Sequence, residues 1–172
     1  MVEFIIAVMF AIVISAGCSL FEAVLYSVPI RHIETMVQGK KRSGRILKEL
    51  RTNVERPIAA ILSLNTIANT AGATIAGSAA TALFGHQWLG YFTAFFTLAI
   101  LIFSEVIPKT AGVVYARSLV SFVALPLKVL VTFMRPAIWL THHITGLIAP
   151  EKTQDSVSPD ELKIMARISL RT

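Results

Sequence analysis

Long uncharged blocks, rather than short amphipathic stripes, set the pattern of this chain. Phe4 to Phe21 carries no charge, nor does Ile58 to Phe84, nor Phe92 to Ser104. Runs of roughly 18 or more mostly apolar residues are long enough to cross a bilayer core of about 30 Å. Each block has its own punctuation. Pro29 closes the first. Arg56-Pro57 opens the second, where a proline's missing N–H leaves no helical bond unmade. Gly85-His86-Gln87-Trp88 makes a short uncharged turn into the third, and Pro108 predicts a kink or an end there. The predicted spans are 4–28, 58–84 and 88–108. Between the first two, Ser43 to Asn53 has Ile46, Leu47 and Leu50 at helical spacing.

The segment from Ser118 to Ala149 is apolar too, but Lys128, Arg135, Pro126 and Pro136 interrupt it. Its longest uncharged piece, Pro136 to Pro150, is short for a span and typical of re-entrant or interfacial segments. The expectation for 118–149 is therefore a juxtamembrane helical segment along the inner surface. The fold class expected is an all-α membrane protein with three transmembrane helices plus that segment, in one membrane domain over 1–150. The adjacent His142 and His143 point about 100° apart on a helix, which suits interfacial polar tips better than a metal pair. Ser158, Pro159 and Glu161 form a capping box, so 151–172 reads as the start of a cytosolic linker in a chain that continues.

Composition agrees with the pattern. The chain is 55% hydrophobic and 15% charged, against about 25% charged in a soluble domain. The net charge of +6 is concentrated: eight Lys/Arg lie between Arg31 and Arg56 against three Glu. A basic loop between two apolar spans is the positive-inside signal, and anionic headgroups attract it. That placement argues for a lipid partner and against nucleic acid. It puts the N-terminus outside and, after three crossings, the C-terminus in the cytoplasm. Trp88 and Tyr91 at the opposite turn fit an interfacial aromatic belt. Cys18 is the lone cysteine, inside the first span, so no disulfide framework exists. The N-terminus has Glu3 and no basic residue before its apolar run, so the expectation is a first span rather than a cleavable signal.

Polar residues then stand out inside the spans. Ser15, Ser19 and Glu22 share one face of the first, Asn65, Asn69 and Gly72 repeat that spacing in the second, and Glu105 in the third precedes Pro108 and Gly112. An acid at membrane depth marks a functional site by default. Hydroxyl, amide and carboxylate oxygens suit Mg²⁺, Ca²⁺, Mn²⁺ or Na⁺ rather than Zn²⁺ or Cu⁺. The same serines and asparagines also suit plain hydrogen bonding between helices. Glu105 has Lys109 four residues on, a spacing that suits a helical ion pair, and Lys109 equally suits an interfacial anchor.

Three motifs carry a resemblance. Cys18-Ser19-Leu20-Phe21-Glu22-Ala23 with Ser27 resembles F-S-x-x-E-x-A-x-x-x-S, with Cys18 in place of Phe. Asn65-Thr66-Ile67-Ala68-Asn69-Thr70 resembles N-x-x-x-N-T. Ser104-Glu105-Val106-Ile107-Pro108-Lys109-Thr110 resembles G-E-I-I-P-K-[ST], with Ser104 in place of Gly. Together they resemble the transmembrane (DUF21) domain of the CorB/CorC and cyclin M (CNNM) family over about residues 1–165. The resemblance implies a homodimer of three-span protomers in the plasma membrane, with cytosolic CBS-pair domains beyond the end of this chain. It implies Mg²⁺ as the transported ion, generally by efflux. It also implies that Ser15, Ser19, Asn65, Asn69 and Glu105 line a Mg²⁺ site in an inward-facing cavity, with the Gly112 carbonyl nearby.

Two functional readings follow. In one, Glu105 and Glu22 draw Mg²⁺ into that cavity, and Na⁺ inflow drives it outward against the membrane potential. In the other, the same residues hold Mg²⁺ in a membrane sensor or regulatory scaffold with no transport of its own. A serine hydrolase using Ser15 or Ser19 with His142 or His143 is disfavoured, because no G-x-S-G turn is present. The chain does not read as an enzyme.

Overall fold

Helix is the expected state of the uncharged blocks, because backbone groups at membrane depth must find partners inside their own segment. The computed structural model describes residues 2–140. Its elements are α1 (Val2–Ser27), α2 (Ile30–Gln38), α3 (Arg42–Thr52), α4 (Glu55–Phe84), a 3-10 turn (His86–Trp88), α5 (Leu89–Ala99), a π-helical segment (Ile100–Val106), α6 (Ile107–Val114) and α7 (Ala116–Phe133). All belong to Met1–Ile138, the first of two units, the second being Trp139–Thr172.

Four of these stretches, not three, are long and apolar enough to cross a membrane: Phe4–Ser27, Glu55–Phe84, His86–Val114 and Ala116–Phe133. The expectation of three spans plus a juxtamembrane segment from 118 is thereby corrected. Of the four interruptions that argued against a span, the two that fall within α7 do not break it. Pro126 lies inside continuous α7, and the Lys128 ammonium meets the Glu49 carboxylate of α3 at 2.7 Å. At about 1.5 Å per residue, α7 is roughly 27 Å long. The second correction concerns the third span, which does not end at Pro108. It runs on to Val114 by way of the π segment. Four crossings would return the chain to its starting side, so counting spans no longer fixes the C-terminal side. His142, His143, the cap at Ser158 and the linker at 151–172 lie outside the described residues.

The buried core gathers at the basic end of the helices. Val24, Leu25 and Val28 of α1 meet Ile33 and Met36 of α2, Ile46, Leu47 and Leu50 of α3, and Val120, Val123 and Leu127 of α7. The α7 positions recur at helical spacing, so one face of that helix is core and the other is exposed, with Phe122, Leu125 and Val129 outward. A smaller cluster, Ala11, Ala76 and Phe96, joins the far ends of α1, α4 and α5. There Phe4 lies against Phe84 and Phe92, with ring centroids 6.2 and 5.6 Å away. Trp88 and Tyr91 are exposed side by side at the turn, where the sequence places an aromatic belt.

Arg51 ties the α2–α3 hairpin to the end of α1. Its guanidinium donates to the Val28 carbonyl and, at 3.0 Å, to the Tyr26 carbonyl. These are carbonyls that a helix end leaves without intrahelical partners. Arg51→Met is expected to cost about 2 kcal/mol, the scale of hydrogen bonds to a charged group. Arg51→Lys should recover less than half, because an ammonium lacks the planar fork that serves two carbonyls at once. Thermal unfolding of the solubilised protein measures both.

Candidate functional site

The site begins with two serines one turn apart on α1. Ser15 and Ser19 are 0% and 1% exposed. The Ser15 hydroxyl donates to Asn65 Oδ1 of α4 at 2.7 Å, so the first two polar clusters do meet. Ser19 Oγ and Asn69 Oδ1 are buried without a hydrogen-bond partner among the described residues. An amide oxygen is an acceptor only. A buried acceptor left unmet costs roughly 1–3 kcal/mol, and native structures contain few.

Contacts along α1 fix the levels of the other residues. Ala11 faces Gly72 and Ser15 bonds Asn65, so α4 runs antiparallel to α1 and Asn69 falls between those two levels. The third span runs parallel to α1. The Ser104 hydroxyl, fully buried, donates to the Ile12 carbonyl at 3.2 Å, and Gly112 packs on Leu20 and Ala23. Glu105 follows Ser104 and so shares the level of Ser15, Asn65 and Asn69. Ser19 lies one turn nearer the basic end, and Glu22 and Gly112 lie about two turns nearer, roughly 10 Å.

The π segment delivers Glu105 to that level. The Ile107 N–H bonds to the Ile102 carbonyl, five residues back. Pro108 then has no N–H for the turn behind it, and a locally widened helix is one way a chain accommodates that loss. Single π turns inside α-helices are frequent at functional sites. Glu105 is part-buried, and its carboxylate has no hydrogen bond or ion pair among the described residues.

Lys109 resolves differently from either sequence alternative. Its ammonium meets Glu22 of α1 at 3.2 Å, not Glu105. Both side chains are about half exposed, 46% and 39%, so screening limits the pair to about 1 kcal/mol or less. A double-mutant cycle of Lys109→Met with Glu22→Gln should return a coupling of that size in thermal stability. The cycle with Glu105→Gln should return none.

Some residues near the site escaped the sequence reading. A cavity of about 300 Å³ opens between α4 and α5 and reaches Asn69, with Thr70, Thr93 and Thr97 on its walls. Thr93 and Thr97 stand four apart, a spacing that was available to find them. Ser104, which in the sequence only departs from a motif, joins the third span to α1. Among the described residues no three His, Cys, Asp or Glu side chains converge. A cation at this level would therefore meet hydroxyl and amide oxygens and a single carboxylate.

Comparison with known proteins follows the same residues. The family described as the cyclin M transmembrane N-terminal domain matches residues 6–172. A UPF0053 protein of Synechocystis, sll1254, is 33% identical over 97% of this chain and 49% of its own length. The UPF0053 inner membrane protein YfjD of Escherichia coli is 30% identical over 69% of this chain and 27% of its own. A chloroplastic DUF21 domain-containing protein of Arabidopsis thaliana, At1g55930, is 29% identical over 74% of this chain and 20% of its own. The chain thus spans about half the length, or less, of these relatives. It is a multi-pass membrane domain and belongs to the cyclin M transmembrane-domain family, the CorB/CorC–CNNM group that also carries the DUF21 and UPF0053 names.

Proposed function

We propose that this domain carries Mg²⁺ across the membrane, taking it from the cytoplasmic side. The observation that supports this most is the pair of buried, unmet oxygens, Ser19 Oγ and Asn69 Oδ1, on two helices pinned together by the Ser15–Asn65 bond. A cation that keeps part of its water shell can meet both, directly or through a bound water, and Glu105 at the level of Asn69 supplies net negative charge. The proposed donors are Ser15, Ser19, Asn65, Asn69 and Glu105, and the Gly112 carbonyl, about two turns nearer the basic end, is offered to the ion on its approach. Glu22, held by Lys109, adds potential on the approach from the basic end. One carboxylate with neutral oxygens makes a weak cage, which suits an ion that keeps several waters and must leave again.

The eight Lys/Arg between Arg31 and Arg56 support a cytoplasmic position for that end and an outside position for the N-terminus. Efflux moves two charges against the membrane potential, so Na⁺ inflow is the proposed driver. Residues 1–150 form the transport domain in this reading. It acts as a homodimer, with CBS-pair domains regulating it in the longer protein. The test is Mg²⁺ efflux from loaded cells and from proteoliposomes, with Asn69→Ala beside the parent chain. Efflux unchanged by Asn69→Ala removes the proposed site. Mg²⁺ binding without flux makes the domain a sensor instead.

A further inference from the structure

We propose that the groove between α4 and α5 is the outward half of the ion's route, a path by which a partly hydrated cation leaves the Asn69 level toward the turn at His86. The proposal rests on the Mg²⁺-transport reading. Two shallow depressions, open on one side, make up the groove. The first, about 300 Å³, reaches Asn69, and the second, about 590 Å³, reaches His86. They share Ala73 and Thr93 on their walls, so they adjoin along the same face of α4. Asn69 is central in α4, 14 residues from Glu55 and 15 from Phe84. The groove therefore covers the half of α4 that runs away from the basic end.

Its chemistry is unusual for a membrane-depth surface. Thr70, Thr74, Ser78 and Thr81 follow one face of α4, and Thr93 and Thr97 face them from α5. Polar side chains inside a membrane face a bundle interior or water far more often than lipid. Thr74, Thr81 and Thr93 donate their hydroxyl hydrogens to carbonyls of their own helices, at 2.8, 2.9 and 2.8 Å. With the hydrogen turned inward, each oxygen presents only lone pairs to the groove, the polarity a cation or its water shell requires. The hydroxyls of Thr70, Ser78 and Thr97 make no hydrogen bond among the described residues. Three of these six hydroxyls are therefore left to meet water or an ion in the groove. No carboxylate lines the groove, so the wall hydrates the ion without trapping it.

Cysteine accessibility in intact cells tests the route. In a Cys18→Ala background, Thr74→Cys and Ser78→Cys are placed on the wall. Ile75→Cys, exposed on the same helix but off the groove, is the control. A cationic, membrane-impermeant methanethiosulfonate is added outside. The wall cysteines should react about tenfold faster than Ile75→Cys, because only a water-exposed thiol ionises and reacts. Their modification should lower Mg²⁺ efflux by roughly fivefold or more, as expected for a plugged path. Equal labelling of all three positions overturns the route, and so does labelling without loss of efflux. Disulfides between two copies at Thr74→Cys, with no reagent access, show an interface instead and also overturn it. Labelling is read by mass and needs no transport. A failed Asn69→Ala test, by contrast, shows only in flux, so loss of the transport reading is told apart from loss of the route.

Discussion

Glu105→Gln is expected to lower Mg²⁺ flux about a hundredfold, equivalent to about 2.7 kcal/mol of lost interaction with the ion. Glutamine keeps the size of the side chain and one acceptor oxygen, so the change removes charge and little else. The effect is large because, among the described residues, Glu105 brings the only carboxylate to the level of Ser15, Asn65 and Asn69, while Glu22, nearer the basic end, is already held by Lys109. The protein should remain folded. The Glu105 carboxylate has no hydrogen bond or ion pair among the described residues, so its neutralisation leaves no broken partner behind. Thermal unfolding should shift by no more than about 0.5 kcal/mol, because none of the interactions whose loss destabilises strongly is removed. Glu105→Asp keeps the charge and withdraws it by one methylene, and flux between the two extremes is the expected result. Wild-type flux from Glu105→Gln would sink the carboxylate's role. A large loss of stability would mean that Glu105 has a structural partner after all.

The sequence was most informative where charge and spacing carry the information. Uncharged blocks located α1, α4 and the third span, since nothing but length and polarity decides whether a segment can cross a bilayer. They misjudged α7, where Pro126 and Lys128 read as breaks. Inside this core the proline stays within the helix and Glu49 reaches the lysine, and neither fact is local to residues 116–133. Helical spacing likewise put Ser15 with Ser19 and Asn65 with Asn69 on single faces, but spacing says nothing about how two helices slide past each other. The level shared by Ser15, Asn65 and Glu105 comes from contacts far apart in the chain, including the bond from Ser104 to the Ile12 carbonyl. Lys109 shows the same limit at short range. An i, i+4 partner at Glu105 presumes one regular helix, and the π segment ends between the two. The change in pitch takes Lys109 off that line, and Glu22 becomes its partner.

Gly72 should prove as critical as Glu105, for a reason that has no chemistry in it. A Cβ at position 72 would collide with the Ala11 Cβ, and no flexible side-chain end is there to yield. Small residues at a membrane helix contact exist to allow such an approach. Gly72→Leu is expected to prevent α1 and α4 from docking at all. Gly72→Ala should destabilise by about 1–3 kcal/mol, the range for overpacking a close contact. Adding Ala11→Gly returns the lost space, so the double variant should regain most of that stability. Function should fail before the fold does. Asn69 is three residues from Gly72 and Asn65 seven, on the same face, so pushing the helices apart at Gly72 lengthens the 2.7 Å Ser15–Asn65 bond. Displacements near 1 Å at a positioned group can cost on the order of a hundredfold in rate. Gly72→Ala at a temperature where it remains folded should therefore lose Mg²⁺ flux, and Ala11→Gly should restore flux together with stability. Recovery of stability without flux would separate the Ser15–Asn65 pin from transport, and would leave Gly72 as a packing residue alone.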